Sequence, residues 1–260
     1  MNTNTINNFI DLAQRMAHIS GDIIRPSYRH PNTVGVKDDA SPVTEIDRAV
    51  ESALRAMIEA EYPDHGIIGE EYGSLCPDAE YVWVIDPIDG TKAFMAGIPV
   101  FGTLIAIAHR GVPIVGVMDQ PISGERWIGA DGVPTTLNGR PVRVRSCPDL
   151  AEALICTASP EYYEGDERGA FDRLIGAVKW AVYGGSCYVY GLLAAGSLDI
   201  GIEAGHESFD YCALVPIVQN AGGVITDWEG ASLTIRSGTR FIAAGDPRAH
   251  AQALRLLAGE

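Results

Sequence analysis

The apolar run Tyr81-Val82-Trp83-Val84-Ile85 leads straight into Asp86-Pro87-Ile88-Asp89-Gly90-Thr91, setting two carboxylates and a hydroxyl on one tight turn at a strand's end. A chain carrying this run must bury the strand and still satisfy the acids at its tip. Carboxylates this close in sequence ionise together only with a cation or hydrogen-bond donors between them. Pro87 and Gly90 fix the turn and leave backbone amides free to face an anion. Hard oxygen donors favour Mg2+ over zinc. For the hexapeptide alone, an Asp-rich surface turn is the plainer alternative.

Other acids stand at comparable places. Ile67-Ile68-Gly69-Glu70-Glu71 ends a short apolar run in paired carboxylates, one of which is expected to face solvent. Ser41 to Asp47 precedes a helical pattern through Val50, Leu54, Met57 and Ile58, and there Thr44 and Asp47 fit a capping box. Asp210, in Ser208-Phe209-Asp210-Tyr211-Cys212-Ala213, stands at the mouth of a helix, where a plain N-cap is the structural alternative. Four acidic segments at strand and helix ends point to one shared polar centre.

Apolar spacing through Ile6, Phe9, Ile10, Ala13, Ala17, Ile23 and Ile24 predicts an amphipathic helix, and Arg48 to Ala60 predicts a second. Between Tyr81 and Arg145 the pattern changes to short β-branched runs, Thr103 to Ala108, Ile114 to Met118 and Arg126 to Ile128. Arg110-Gly111, Ser123-Gly124 and Asn138-Gly139 punctuate them as turns of an antiparallel meander. After Pro148 strands and helices alternate: strand 153–157, helices 169–179 and 187–195, strand 198–203, helix 211–220, strands 224–226 and 241–244, and helix 248–257. Asp246 and Pro247 mark the start of that last helix. This order gives an α+β half over residues 1–147 with most of the acids, and an α/β half over 148–260 carrying Asp210. No linker separates them, so the cleft should lie between them.

The 260 residues, 47% hydrophobic, suffice for a full core in one large domain or two fused ones. With 19 basic against 34 acidic residues the formal charge is −15, which argues against nucleic-acid and anionic-membrane partners. Five cysteines, without a Cys-x-x-Cys pair, fit neither a disulfide framework nor a zinc ribbon. Residues 1–5 lack a basic flank and a signal-type apolar core, and no apolar stretch reaches membrane-spanning length. A reducing cytoplasm is the expected location.

Trp83 to Thr91 and Phe209 to Ala213 resemble the two signatures of the inositol monophosphatase family of Mg2+-dependent, Li+-sensitive phosphatases. Gly69-Glu70-Glu71, Lys37 to Asp47, Gly185-Ser186 and Ala221-Gly222-Gly223 extend the resemblance over nearly the whole chain. Phe209 stands where the family more often has Trp, a change in packing beside Asp210. The resemblance implies a layered αβαβα sandwich, a homodimer, and two or three Mg2+ ions per subunit. It assigns one ion to Glu70, Asp86 and the carbonyl of Ile88, and a second to Asp86, Asp89 and Asp210. Thr91, oriented by Asp47, and Glu70 form the implied catalytic set for direct attack of a metal-activated water on a phosphate monoester. Asp89, Gly90, Thr91, Gly185, Ser186, Glu203 and Asp210 would bind the substrate. Lys37 matches a family lysine near the metals, and His206 and Glu207 would line the entrance.

A narrower resemblance runs through Val100 to Ala106, Met118 to Ile122, Glu125 to Gly129, Thr135 to Gly139 and Thr157 to Pro160, and it is to the histidinol-phosphatase branch of that family. The implied reaction is hydrolysis of L-histidinol phosphate, the penultimate step of histidine synthesis. Inositol-1-phosphate hydrolysis is the alternative within the class. A non-catalytic RNA- or protein-binding regulator is the alternative outside it, disfavoured by the intact acids and the negative charge.

Overall fold

Alternation along Tyr81–Asp89 decides the architecture. Trp83 and Ile85 face one way, Val82 and Val84 the other, and all four are buried. The strand therefore needs a packed layer on each side. The computed structural model describes residues 2–30, 34–36 and 42–260. Its first half runs α1 (Thr3–Ile24), the short pair β1 (Val34–Val36) and β2 (Pro42–Thr44), α2 (Glu45–Glu61), β3 (Gly66–Gly69), β4 (Gly73–Leu75), β5 (Tyr81–Asp89) and α3 (Thr91–Ala96). The meander follows as β6 (Gly102–His109), β7 (Val112–Gln120), β8 (Glu125–Ala130), β9 (Val133–Leu137) and β10 (Arg140–Pro141). The second half gives β11 (Leu154–Thr157), α4 (Gly165–Ala177), β12 (Trp180–Tyr183), α5 (Tyr188–Ala194) and β13 (Ile200–Glu203). It ends with α6 (Ser208–Tyr211), α7 (Leu214–Asn220), β14 (Val224–Thr226), β15 (Phe241–Ala244) and α8 (Pro247–Ala258).

The larger sheet has the order β10-β9-β8-β7-β6-β5-β3-β4, and the smaller β12-β11-β13-β15-β14. Trp83 and Ile85 join Phe9, Leu12 and Met16 of α1 and Val50, Leu54 and Ile58 of α2 in one core. Val82 and Val84 instead pack on α5 and α7, which meet Phe241 and Ala243 of β15 on their far side. Ile242 and Ala244, the alternate residues of β15, face α4 and α8. The layers are therefore helices, sheet, helices, sheet, helices, the αβαβα sandwich expected. The middle layer α5–α7 comes from the second half and covers the sheet of the first, so the two halves share one core.

The amphipathic helices stand where their spacing placed them, and the meander turns at Arg110-Gly111 and Asn138-Gly139, each dipeptide with both φ angles positive, as tight hairpin turns require. Two expectations are corrected, and one strand had no counterpart in the sequence reading. The helix expected over 211–220 is two, because Pro216 has no N–H to give the Cys212 carbonyl; Cys212 and Ala213 keep helical dihedrals while the hydrogen-bond ladder breaks. The helix expected over 169–179 starts earlier, at Gly165, and ends at Ala177. Trp180–Tyr183 is an edge strand with no alternation in its burial, held by its parallel pairing with β11. Among the described residues no helix is long and apolar enough to cross a membrane.

Candidate active site

Residues three apart on a regular strand point to opposite faces. Along β5 and β6 the register shifts between Asp86, opposite Leu104, and Asp89, opposite Gly102, so β5 carries one extra residue. That bulge turns both carboxylates toward the same end of the sheet. Asp210 reaches the same point from the second half, held by the capping box of α6 in which the Glu207 amide donates to its Oδ2 at 2.6 Å. One oxygen from each of Asp86, Asp89 and Asp210 lies within 4.8 Å of the others, Asp86 and Asp89 buried and Asp210 half-buried. Burial, then the charges of Glu70, Asp89 and Asp210, holds Asp86 well above the usual carboxylate range. Burial raises Asp89 against an opposing hydrogen bond from the Cys187 amide, and burial with the Asp89 charge raises Asp210 well above its ordinary value. Among the described residues no Lys or Arg pairs with these three acids. Clustered carboxylates without a protein counter-charge are a fit for a hard divalent cation.

Glu70 is brought to the cluster by the end of β3, where its amide donates to the Ile85 carbonyl at 3.3 Å. A residue not singled out in the sequence secures that turn. The fully buried Glu51 carboxylate accepts from the Glu71 amide at 2.6 Å, the Tyr72 amide at 3.1 Å and Arg55 Nε at 2.8 Å. Gly69 makes this possible, since a Cβ there would lie 2.2 Å from Glu51 Oε1. Glu51 had a signal: Asp47, Val50, Glu51, Leu54 and Ile58 form the buried stripe of α2, and an acid on such a stripe needs partners. Against expectation, Glu70 and Glu71 are both half-buried.

Asp47 belongs to the capping box of α2. Its Oδ2 accepts from the Thr44 amide at 2.8 Å and from the Thr44 hydroxyl, while its buried Oδ1 has no partner among the described residues. Thr91 Oγ donates to the Ile88 carbonyl at 3.1 Å, so here the expected Asp47–Thr91 pairing is not made. The Ile88 amide donates to Asp86 Oδ1 at 3.0 Å. Gly90 begins α3 at φ +84°, and a Cβ on it would stand 2.8 Å from Ser186 Oγ. The Gly185-Ser186 turn thus closes on the Gly90-Thr91 turn, tied by the Cys187 amide donating to Asp89 Oδ1 at 2.8 Å.

Glu203 is neither a solvated acid nor an open ligand. It is 2% exposed, accepting from the Ala158 amide at 2.8 Å and Thr157 Oγ at 3.1 Å, and burial pushes it up to about 7. His206 lies in the loop between β13 and α6, its Nδ1 3.0 Å from the Ala204 carbonyl. Lys37 lies outside the described residues.

Residues 6–259 match the inositol monophosphatase family. The chain belongs to that family. It is similar to the chloroplastic bifunctional phosphatase IMPL2 of Arabidopsis thaliana, 44% identical over 97% of this chain and 75% of that protein. It also resembles a histidinol-phosphatase of Mycobacterium tuberculosis, 37% identical over 76% of this chain and 79% of that one. A solved inositol monophosphatase from Zymomonas mobilis superposes with TM-score 0.89 at 44% identity, over 97% of this chain and 98% of its own. As an inositol monophosphatase family member the chain is a metal-dependent phosphatase of small phosphate monoesters.

Proposed function

We propose that this phosphatase hydrolyses L-histidinol phosphate to L-histidinol and phosphate. The convergence of Asp86, Asp89 and Asp210 within 4.8 Å carries the phosphatase part of the reading. The histidinol-phosphatase relative and the bifunctional relative support the substrate.

Glu70, Asp86 and the Ile88 carbonyl would hold one Mg2+, and Asp86, Asp89 and Asp210 a second. When bound, such ions lower the pKa of a water and offset charge on the leaving oxygen of an in-line displacement. The Gly90 and Thr91 amides, with Ser186 beside them, hold phosphate oxygens. Thr91 Oγ takes up the proton of the attacking water and passes it on. Its acceptor in that step would be Asp47 Oδ1, the buried oxygen without a partner, once the hydroxyl turns from the Ile88 carbonyl. Both Glu203 oxygens are already engaged, and since burial pushes it up to about 7, Glu203 would favour the substrate's ammonium only as a partial charge near neutral pH.

Inositol-1-phosphate is the second reading, favoured by the Zymomonas structure. Growth separates the two. Expression of this chain should restore growth without histidine to a strain lacking its own histidinol phosphatase. Failure to do so with soluble protein present would leave only the family-level activity.

A further inference from the structure

Beside the Thr91 turn, three side chains meet in a contact that hydrolysis itself does not use. Lys92, next to Thr91 in α3, sets its ammonium 5.1 Å from the centroid of the Tyr162 ring and donates to the Tyr162 hydroxyl at 3.3 Å. Tyr162 ends the 3₁₀ turn Pro160–Tyr162, whose start is capped by Ser159. Its ring stands edge-to-face with His206, centroids 6.0 Å apart and planes at 66°. A residue of the first half thus touches an aromatic pair of the second, directly beside the phosphate-holding turn.

His206 is fixed on both sides of its backbone and ring. Its amide donates to the Thr239 carbonyl at 3.0 Å, and its ring packs on Phe241 with centroids 5.8 Å apart. A carbonyl can only accept, so the 3.0 Å contact with Ala204 places the ring hydrogen on Nδ1 and leaves Nε2 of the neutral imidazole an acceptor. Nε2 makes no hydrogen bond among the described residues. Lys92 lies over the Tyr162 ring, and His206 meets the same ring edge-to-face.

We propose that Tyr162 and His206 form the leaving-group subsite, in which a planar N–H heteroaromatic ring packs in the corner of the two rings and donates to His206 Nε2. The proposal rests on the histidinol phosphate reading and adds the residues that select for it. A flat ring matches the face of one aromatic and the edge of the other, a geometry a puckered polyol cannot copy. An acceptor built for an N–H also discriminates against a substrate that leaves it unpaired.

The test is the full-length enzyme in saturating Mg2+, with Tyr162→Ala, Tyr162→Leu, His206→Ala and His206→Asn each assayed on histidinol phosphate, inositol-1-phosphate and 2-glycerophosphate. The readout is the kcat/KM ratio of histidinol phosphate to 2-glycerophosphate, which should fall about 10–100-fold in each variant, mostly through KM. Two substitutions at each position keep the result independent of one variant's folding. If wild type favours histidinol phosphate and all variants keep that ratio, the subsite is wrong and the substrate reading stands. If wild type itself ranks inositol-1-phosphate first, both are overturned.

Discussion

Asp210→Asn should lower kcat by about 10³-fold or more, a loss on the scale of removing preorganised charge stabilisation from a phosphoryl-transfer site. The fold should survive and the metal-free protein should melt higher than wild type. Asp210 is raised by burial and by Asp89, so at neutral pH its ionised form is the costly one. An asparagine keeps the oxygen that accepts from the Glu207 amide at 2.6 Å and turns an amide toward Asp86 and Asp89, replacing repulsion with donation. Asp89→Asn follows the same logic, since its Oδ1 would go on accepting from the Cys187 amide. Calorimetry with and without Mg2+ checks both halves of the expectation, because the rise in melting temperature on adding Mg2+ should shrink in each variant. Near wild-type turnover by both variants in saturating Mg2+ would remove the two-ion assignment.

Thr91→Ala should lower kcat roughly 10²–10⁴-fold with little change in KM, the range for losing a group that moves a proton in the transition state. The hydroxyl now donates to the Ile88 carbonyl, and nothing else in the turn can replace it. Thr91→Ser should recover much of the rate by restoring the hydroxyl. Turnover by the alanine variant within about threefold of wild type would be too small a loss for general acid–base work. A phosphorylated protein trapped by acid quench would contradict direct attack by water.

How much of this was legible in the sequence differs from residue to residue. Features set by local rules could be read: the stripes of α1 and α2, the Thr44–Asp47 capping box, the Asp246-Pro247 start of α8 and the turn dipeptides. The bulge that turns Asp86 and Asp89 to one side could not, because it is fixed by pairing with β6 more than a dozen residues away. Edge strand β12 left no trace of alternation, since Trp180, Val182 and Tyr183 are all exposed and its partner supplies the order. The break at Pro216 and the buried Glu51 carry local signals in the sequence, one a proline inside a helical pattern and the other a charge on an apolar stripe. Glu203 needed three-dimensional structure, since its donors are Thr157, at the end of the neighbouring strand β11, and Ala158 just beyond it. The order of layers came from family resemblance, because periodicity does not say that one pair of helices serves two sheets.

Phosphate release measured in parallel on histidinol phosphate, inositol-1-phosphate, a 3′-phosphoadenosine nucleotide and fructose-1,6-bisphosphate, each with Mg2+ and with a chelator, tests the central claim most directly. The account predicts that histidinol phosphate has the highest kcat/KM and that chelation abolishes turnover on all four. A higher kcat/KM for inositol-1-phosphate, or activity that survives chelation, would contradict it.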